Sequence, residues 1–138
     1  MTRWLLVLVP CLLILAYWPL WQAGFVYEDR RWLASSTTWP GWVVSRPLMR
    51  WSWFWQQHHT PSPQAFHGVN LGLHAVSAGL TGALGRRLGL SVLAAWLLTA
   101  LYAVHPLPVE SVAYAANRPE LFAVIGVVGV ITAGPVMA

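Results

Sequence analysis

Few side chains in this 138-residue chain can take part in acid–base chemistry, and they gather in two places. The first is the pair Glu28 and Asp29, directly after an apolar stretch. Adjacent carboxylates at a membrane edge can act as a general base or hold a divalent metal ion. Arg30 and Arg31 follow at once, so the same residues can instead form a charge-paired, solvated loop. Composition alone favours the loop.

The second cluster lies between residues 105 and 120 and combines His105, Glu110 and Arg118. The imidazole and the guanidinium can bind an anionic group through charge-assisted hydrogen bonds. Alternatively, Glu110 pairs with Arg118 and only supports the fold. The residues themselves leave both interpretations open.

A polar stripe lies within an apolar segment, where His67, Asn70 and His74 follow one another at helical spacing on one face. Polar groups at membrane depth are costly and usually face protein or water, so we expect hydrogen bonds between helices for Asn70 and His74. Gly68 and Gly72 form a small-xxx-small pair that predicts close helix packing. The histidines of the chain have no compact ligand spacing, so the sequence predicts no metal site.

The elements that position these residues follow from composition. Charged residues make up 9% of the chain and hydrophobic residues 57%, more apolar surface than a short soluble core can hide. Apolar segments near the membrane-spanning length cover residues 4–21, 65–85, 88–104 and 121–137. We therefore predict an all-α membrane protein with about four transmembrane helices in one domain, residues 1–138.

The stretch from residue 22 to residue 64 is too polar to span and carries six of the tryptophans. Ser45 is a candidate N-cap, and a helix from there to about His58 would place Trp51 and Trp55 on one face. Amphipathic rings of this kind favour the membrane interface. The sequence thus predicts an interfacial amphipathic helix in this first long loop.

Topology places the two polar clusters on one side, because an even number of crossings separates the loops 22–64 and 105–120. Arg86 and Arg87 occupy a very short turn, which favours the cytoplasm for that turn and for the amino terminus. The two loops are then extracytoplasmic. No arginine cluster exceeds two residues, so nucleic acid is excluded as a partner. Membrane lipids, or anionic lipid-linked substrates, fit the charge balance better.

Two stretches, residues 45–76 and 102–123, resemble a known family. They resemble the amino-terminal membrane region of the transmembrane, tetratricopeptide-repeat-containing O-mannosyltransferases and their bacterial relatives, which are polytopic GT-C glycosyltransferases. The matching residues, in order, are Arg46-Pro47-Leu48, Phe66-His67, Asn70, His74, His105-Pro106, Glu110, Val112, Arg118 and Glu120. The segment from Gly24 to Trp32 is similar to the acidic motif of the family, with Glu28 where that motif often has Asp.

The resemblance implies transfer of a sugar from a lipid-phosphate-linked donor to an acceptor. It implies that Asp29, with Glu28, is the catalytic base. It also implies that Arg118 and His105 contact the donor phosphate, with Glu110 and Arg46 among the substrate-binding residues.

Members of this family have many more transmembrane helices, so the resemblance implies that the chain is a fragment or a shortened homologue. A second hypothesis is a non-catalytic accessory subunit that packs against other transmembrane subunits. The length of the chain, the small residues of the second segment and the tryptophan-rich loop motivate it.

Overall fold

The computed structural model describes residues 2–25, 29–31 and 46–135, with side chains from residue 7 onward. These residues are helical or form turns, without strands, which confirms the all-α class. The helices are α1 (Thr2–Tyr17), α2 (Pro47–His59), α3 (Pro63–Arg87), α4 (Val92–Val104), α5 (Val109–Ala113) and α6 (Arg118–Ala133). Two 3₁₀ helices, Trp18–Gln22 and Ala115–Asn117, extend α1 and precede α6.

Local capping explains where α3 and α4 begin. The Ser62 hydroxyl accepts a hydrogen bond from the Ala65 N–H at 3.2 Å, and Ser91 does the same for Ala94 at 3.2 Å. Each cap satisfies a backbone donor that the first helical turn leaves open. Between the two helices, Gly89 adopts a φ of +90°, a conformation that suits glycine.

Helix α3 is the centre of the fold and packs most extensively against α4 and α6. The contacts fix the directions of its neighbours. Tyr17, at the end of α1, lies beside His74, and Gly82, late in α3, lies beside Thr99 of α4. Arg118, at the start of α6, lies beside Asn70. Further along the chain, Trp21 lies beside Gly68, Ala103 beside His74 and Thr132 beside Arg87. Helices α1 and α4 therefore run antiparallel to α3, whereas α6 runs parallel to it.

The closest helix approach lies at Gly82, not at the glycine pair predicted from the sequence. A Cβ added to Gly82 would lie 2.0 Å from the Thr99 hydroxyl oxygen. Gly68 has the Trp21 ring at 3.7 Å, which is ordinary contact, and Gly72 has nothing within 4 Å among the described residues. Gly72 is exposed because it lies on the side of α3 opposite to His74, which contacts α4.

Helix α2 packs through one side only. Met49 and Trp53 are buried and form a core cluster with Phe66, Ala115 and Ala116. Trp51 and Trp55 are about half exposed, at 54% and 52%, so the predicted aromatic face points away from the protein. This orientation suits the predicted amphipathic helix at a membrane interface.

The start of α2 differs from the sequence prediction. Pro47 is the first helical residue and Arg46, not Ser45, is the N-cap. Arg46 has a φ of 58° and makes no side-chain cap. Ser45 itself lies outside the described residues.

One helical stretch among the described residues, Ala115–Ala133, is long and apolar enough to cross a membrane. Only 22% of its apolar window is buried, so the rest of the described chain does not cover it as a soluble core would. Helix α4 has 13 residues and is ~20 Å long, short of a hydrocarbon core of about 30 Å. The long apolar helix Ala115–Ala133 supports membrane association, while the four predicted crossings stay a prediction.

Two predicted segment boundaries change because of specific backbone features. Residues 88–91 form the turn around Gly89. Helix α4, predicted to start at residue 88, therefore starts at Val92. Helix α6, predicted to start at residue 121, starts three residues earlier, at Arg118, because Pro119 occupies its first turn. It ends at Ala133.

Candidate functional site

Arg118 is fully buried and joins three helices. Its Nε–H donates to the Asn70 Oδ1 at 2.7 Å, while its terminal nitrogens donate to the Ser52 hydroxyl at 3.1 Å and to the Gln56 Oε1 at 2.8 Å. The guanidinium carbon also lies 5.3 Å from the centre of the Phe66 ring. Arginine stays charged in proteins, so a buried cation is held here by neutral groups and an aromatic face.

Asn70 completes this arrangement from α3. Its Nδ2 faces the backbone carbonyl oxygens of Ser111 at 3.5 Å, Val112 at 3.3 Å and Tyr114 at 3.1 Å. Its Oδ1 serves Arg118, so the donors and acceptors around the carboxamide fix its orientation. Asn70 thereby ties the α5–α6 connection to α3.

Asp29 lies at the same junction and is fully buried. Its Oδ1 accepts a hydrogen bond of 2.9 Å from the Ala116 N–H, across 87 positions of sequence. Its Oδ2 has no hydrogen-bond partner in the described part of the chain. The structure thus joins the first long loop to the 105–120 loop, and it leaves one carboxylate oxygen free to accept a proton or a hydrogen bond.

His67 lies next to Asp29 and is 3% exposed. The Ala23 carbonyl and the Asp29 carboxylate lie near the imidazole, but neither ring nitrogen makes a well-formed hydrogen bond within the described residues. His67 thus differs from Asn70 and His74, which make the predicted hydrogen bonds between helices. Its ring points towards the junction, not into the α3–α4 contact.

His74 contributes to helix packing instead. Its Nε2 lies 3.0 Å from the Ala103 carbonyl oxygen and 3.4 Å from the Tyr17 hydroxyl. The Tyr102 ring packs against it at a centroid distance of 5.4 Å. One imidazole thus contacts α1, α3 and α4, as expected for a polar group that joins helices.

Two other candidates, His105 and Glu110, lie apart from this junction. His105 is exposed, and its Nδ1 accepts from the Leu107 N–H at 3.1 Å, which fixes a turn. Glu110 is exposed and makes no ion pair with Arg118, whose partners are neutral. The pairing of His105 or Glu110 with Arg118, open from the sequence, is absent from the described structure. Glu28 lies outside the described residues.

Arg46 lies at the rim of a groove between the start of α2 and the first turns of α6. The groove has a volume of about 280 Å³, and apolar side chains form most of its wall. Its other lining residues are Pro47, Leu48, Met49, Pro119, Phe122 and Ala123. A cation beside an apolar groove suits a ligand with an anionic head and a hydrocarbon chain.

Sequence reasoning missed Ser52 and Gln56 as partners of Arg118. Their spacing of four residues was the available signal, because it puts both on one helix face with Trp53 beside them. A polar pair next to a buried tryptophan on an interfacial helix indicates an inward-facing hydrogen-bonding patch. The buried arginine that it meets is 62 positions away from Gln56 and could not be located from the sequence.

Within residues 2–25, 29–31 and 46–135, no group of three or more histidine, cysteine, aspartate or glutamate side chains is arranged to hold a metal ion. Comparison with known proteins found no matching family model, no matching curated protein and no matching solved structure.

Proposed function

We propose that this chain is a GT-C-like membrane glycosyltransferase that transfers a sugar from a lipid-phosphate donor to an acceptor hydroxyl. One observation carries the proposal. Asp29 is fully buried, the Ala116 N–H holds its Oδ1, and its Oδ2 has no partner among the described residues. A carboxylate that is fixed by one oxygen and open at the other suits a general base.

The proposed reaction uses Asp29 as the base. Its Oδ2 removes the proton of the acceptor hydroxyl while the hydroxyl oxygen forms a bond to the anomeric carbon of the sugar. The bond between that carbon and the phosphate oxygen breaks, and the lipid phosphate leaves with the electron pair. The proton ends on Asp29 and is released to solvent after the product leaves.

The groove beside Arg46 supports a lipid-phosphate donor. Arg46 is exposed and can meet an anionic phosphate, while the apolar wall can accommodate part of a hydrocarbon chain. Arg118 is fully buried and already bound to three side chains. We therefore assign Arg118 to holding α2, α3 and α6 together, in place of the direct phosphate contact that the resemblance implies.

In this proposal α1, α3, α4 and α6 cross the membrane, with the amino terminus in the cytoplasm and the Asp29 junction on the extracytoplasmic side. The helix directions support this arrangement, because α1 and α4 run antiparallel to α3 while α6 runs parallel to it, as alternate crossings require. Exposed apolar side chains on all four helices also suit lipid, among them Leu15, Val76, Leu97, Leu101 and Val130. Local thinning of the bilayer would accommodate the short α4.

Membranes from cells that express the chain provide the test. Radiolabelled polyprenyl-phosphate sugars of several kinds are added, and the release of polyprenyl phosphate is measured. Asp29→Asn keeps an oxygen for the Ala116 N–H but removes the base. We expect it to lower the release rate at least ~100-fold.

Glu120→Gln is the matched control, because it removes a carboxylate charge on the same side and keeps an oxygen for the Ser111 hydroxyl. It should release polyprenyl phosphate at the unmodified rate. Equal rates for Asp29→Asn and the unmodified chain, at equal protein levels, would refute the role of Asp29. No release above empty membranes with any donor would refute sugar transfer by this chain.

One feature favours a second candidate, a non-catalytic subunit of a larger membrane complex. Gly72 and Gly79 on the outer side of α3 have nothing within 4 Å among the described residues, and Val69 and Val76 beside them are exposed. Small residues on a membrane helix permit close packing with another helix. Purification in mild detergent, followed by mass determination, tests it. A chain that migrates alone contradicts this candidate.

A further inference from the structure

His67 differs from the other buried polar residues of α3. Asn70 and His74 both make hydrogen bonds to neighbouring elements, at distances from 2.7 to 3.5 Å. The His67 imidazole is as buried as they are, yet neither of its nitrogens has a hydrogen-bond partner in the described structure. Leaving a buried polar group unpaired costs free energy, so such a group calls for a specific explanation.

The Oδ2 of Asp29 is a second buried polar atom at this junction that needs a hydrogen-bond partner. Its Oδ2 is buried and unpartnered within the described residues, and the carboxylate is close enough to His67 for the two groups to interact electrostatically. Ala116, which holds Asp29, packs in one core cluster with Phe66, the residue before His67. Two unsatisfied side chains from different parts of the chain thus lie at one junction. A ligand that satisfies both would remove both penalties.

Hydrogen-bonding capacity identifies the class of ligand. A carboxylate only accepts hydrogen bonds, whereas a neutral imidazole offers one N–H donor and one acceptor nitrogen. A hydroxyl can donate to Asp29 and accept from His67 at once. An ammonium ligand would add a positive charge near the buried Arg118, which lies two positions beyond the Ala116 amide that holds Asp29.

We propose that His67 is a binding residue of the Asp29 site, and that its ring N–H and the Asp29 Oδ2 hold one hydroxyl group of the acceptor between them. This inference rests on the proposed function for its place in a reaction, but the binding step can be measured without turnover. The two hydrogen bonds fix the O–H towards the carboxylate and leave the second lone pair of the oxygen free.

The experiment observes the imidazole directly. The full chain is labelled with ¹⁵N-histidine in detergent micelles, and the His67 signals are assigned by their loss in His67→Gln. Two probes are titrated separately, N-acetyl-threonine methylamide and N-acetyl-valine methylamide, which differ in shape only by replacement of a hydroxyl with a methyl group. We expect the threonine probe to shift the His67 ring signals to saturation and the valine probe to leave them in place.

Two variants test whether binding of the threonine probe depends on Asp29. Asp29→Asn replaces a charged acceptor by a neutral one, and we expect it to weaken binding of the threonine probe about tenfold. His59→Gln alters an exposed imidazole whose Nδ1 lies 2.7 Å from the Trp55 carbonyl oxygen, and it should leave binding unchanged. Equal shifts with both probes, or equal affinity in Asp29→Asn and the unmodified chain, would overturn the inference.

The outcomes also separate this inference from the proposed function. Hydroxyl-dependent shifts without any release of polyprenyl phosphate would support the binding site and refute sugar transfer. Release that depends on Asp29, combined with equal His67 shifts from both probes, would support sugar transfer and refute the role of His67.

Discussion

The Nε–H of Arg118 donates to the Oδ1 of Asn70 at 2.7 Å, and this bond joins the first residue of α6 to the central helix α3. Among the described residues the hydrogen-bond partners of Arg118 are a carboxamide, a hydroxyl and a second carboxamide, so neutral groups solvate its positive charge. The same carboxamide faces three backbone carbonyl oxygens of the α5–α6 connection. One side chain therefore organises both the buried cation and the loop that precedes it.

Asn70→Leu should strongly destabilise the protein. It removes the acceptor for Arg118 and the donor for the surrounding carbonyl oxygens while filling a similar volume. We expect the free energy of unfolding to fall by about 3 kcal/mol or more, because a buried charge loses a hydrogen bond. Reversible unfolding in mixed micelles, followed by tryptophan fluorescence, measures the change.

The control for Asn70 is Gln64→Leu, which changes an exposed amide that donates to the Trp21 carbonyl oxygen at 3.3 Å. It should lower the free energy of unfolding by less than about 1 kcal/mol, as expected for an exposed hydrogen bond. Similar losses for the two variants would contradict the central position given to Asn70.

Gly82→Ala and Gly72→Ala should have opposite effects on stability. The new Cβ at Gly82 would meet the Thr99 hydroxyl at 2.0 Å and the Ala95 carbonyl oxygen at 3.2 Å, so α3 and α4 must separate. We expect a loss of about 1–3 kcal/mol. At Gly72 the Cβ enters open space, and the better helix propensity of alanine should leave stability unchanged or raise it by about 0.5–1 kcal/mol.

Thermal unfolding of the two glycine variants in the same detergent checks this ranking. Thr99→Ala in the Gly82→Ala background removes the nearest atom and should restore part of the loss. A Gly82→Ala variant as stable as the unmodified chain would show that the helices do not approach as closely as described.

Arg87→Gln should loosen the end of α6. The Arg87 guanidinium donates to the carbonyl oxygens of Thr132 and Gly134, which satisfies acceptors that the last helical turn leaves open. A cation there also interacts favourably with the helix dipole, so we expect a local loss of about 1–2 kcal/mol. Hydrogen exchange of the amides near Thr132 should become faster.

Arg86→Gln serves as the comparison, because Arg86 donates to the Leu90 carbonyl oxygen within its own turn. Exchange near Thr132 should stay unchanged in this variant. Faster exchange at the end of α6 in both variants would point to a general effect of lost charge at this turn.

Cysteine labelling tests the proposed membrane topology. Cys11 is replaced by alanine, and single cysteines are placed at two exposed leucines, Leu107 in the α4–α5 turn and Leu88 after α3. An impermeant maleimide added to intact spheroplasts should label position 107. Position 88 should react only after the membrane is opened. Equal labelling of both positions in intact cells would contradict the odd number of crossings between them.

The sequence predicted the helices well, because apolar runs and serine caps act locally. The apolar run over 65–85 predicts α3 to within two residues at each end, whereas its cap at Ser62 was found only in the structure. The boundaries of α4 and α6 shifted where the turn at Gly89 and the position of Pro119 decided the register. Within the described chain the close helix contact lies at Gly82, because only the position of α4 selects among several glycines, while packing at Gly68 and Gly72 stays a prediction.

The sequence by itself determined an all-α, strongly apolar chain with its carboxylates and arginines confined to loops and helix ends. Tertiary structure alone decided which of these groups meet. His67, Asn70 and His74 share one helical face, yet Asn70 accepts from Arg118 and His74 joins three helices. His67 makes no hydrogen bond within the described residues. Periodicity fixes the face of a helix, whereas hydrogen-bond partners depend on contacts between residues 29 to 87 positions apart, which local sequence cannot specify.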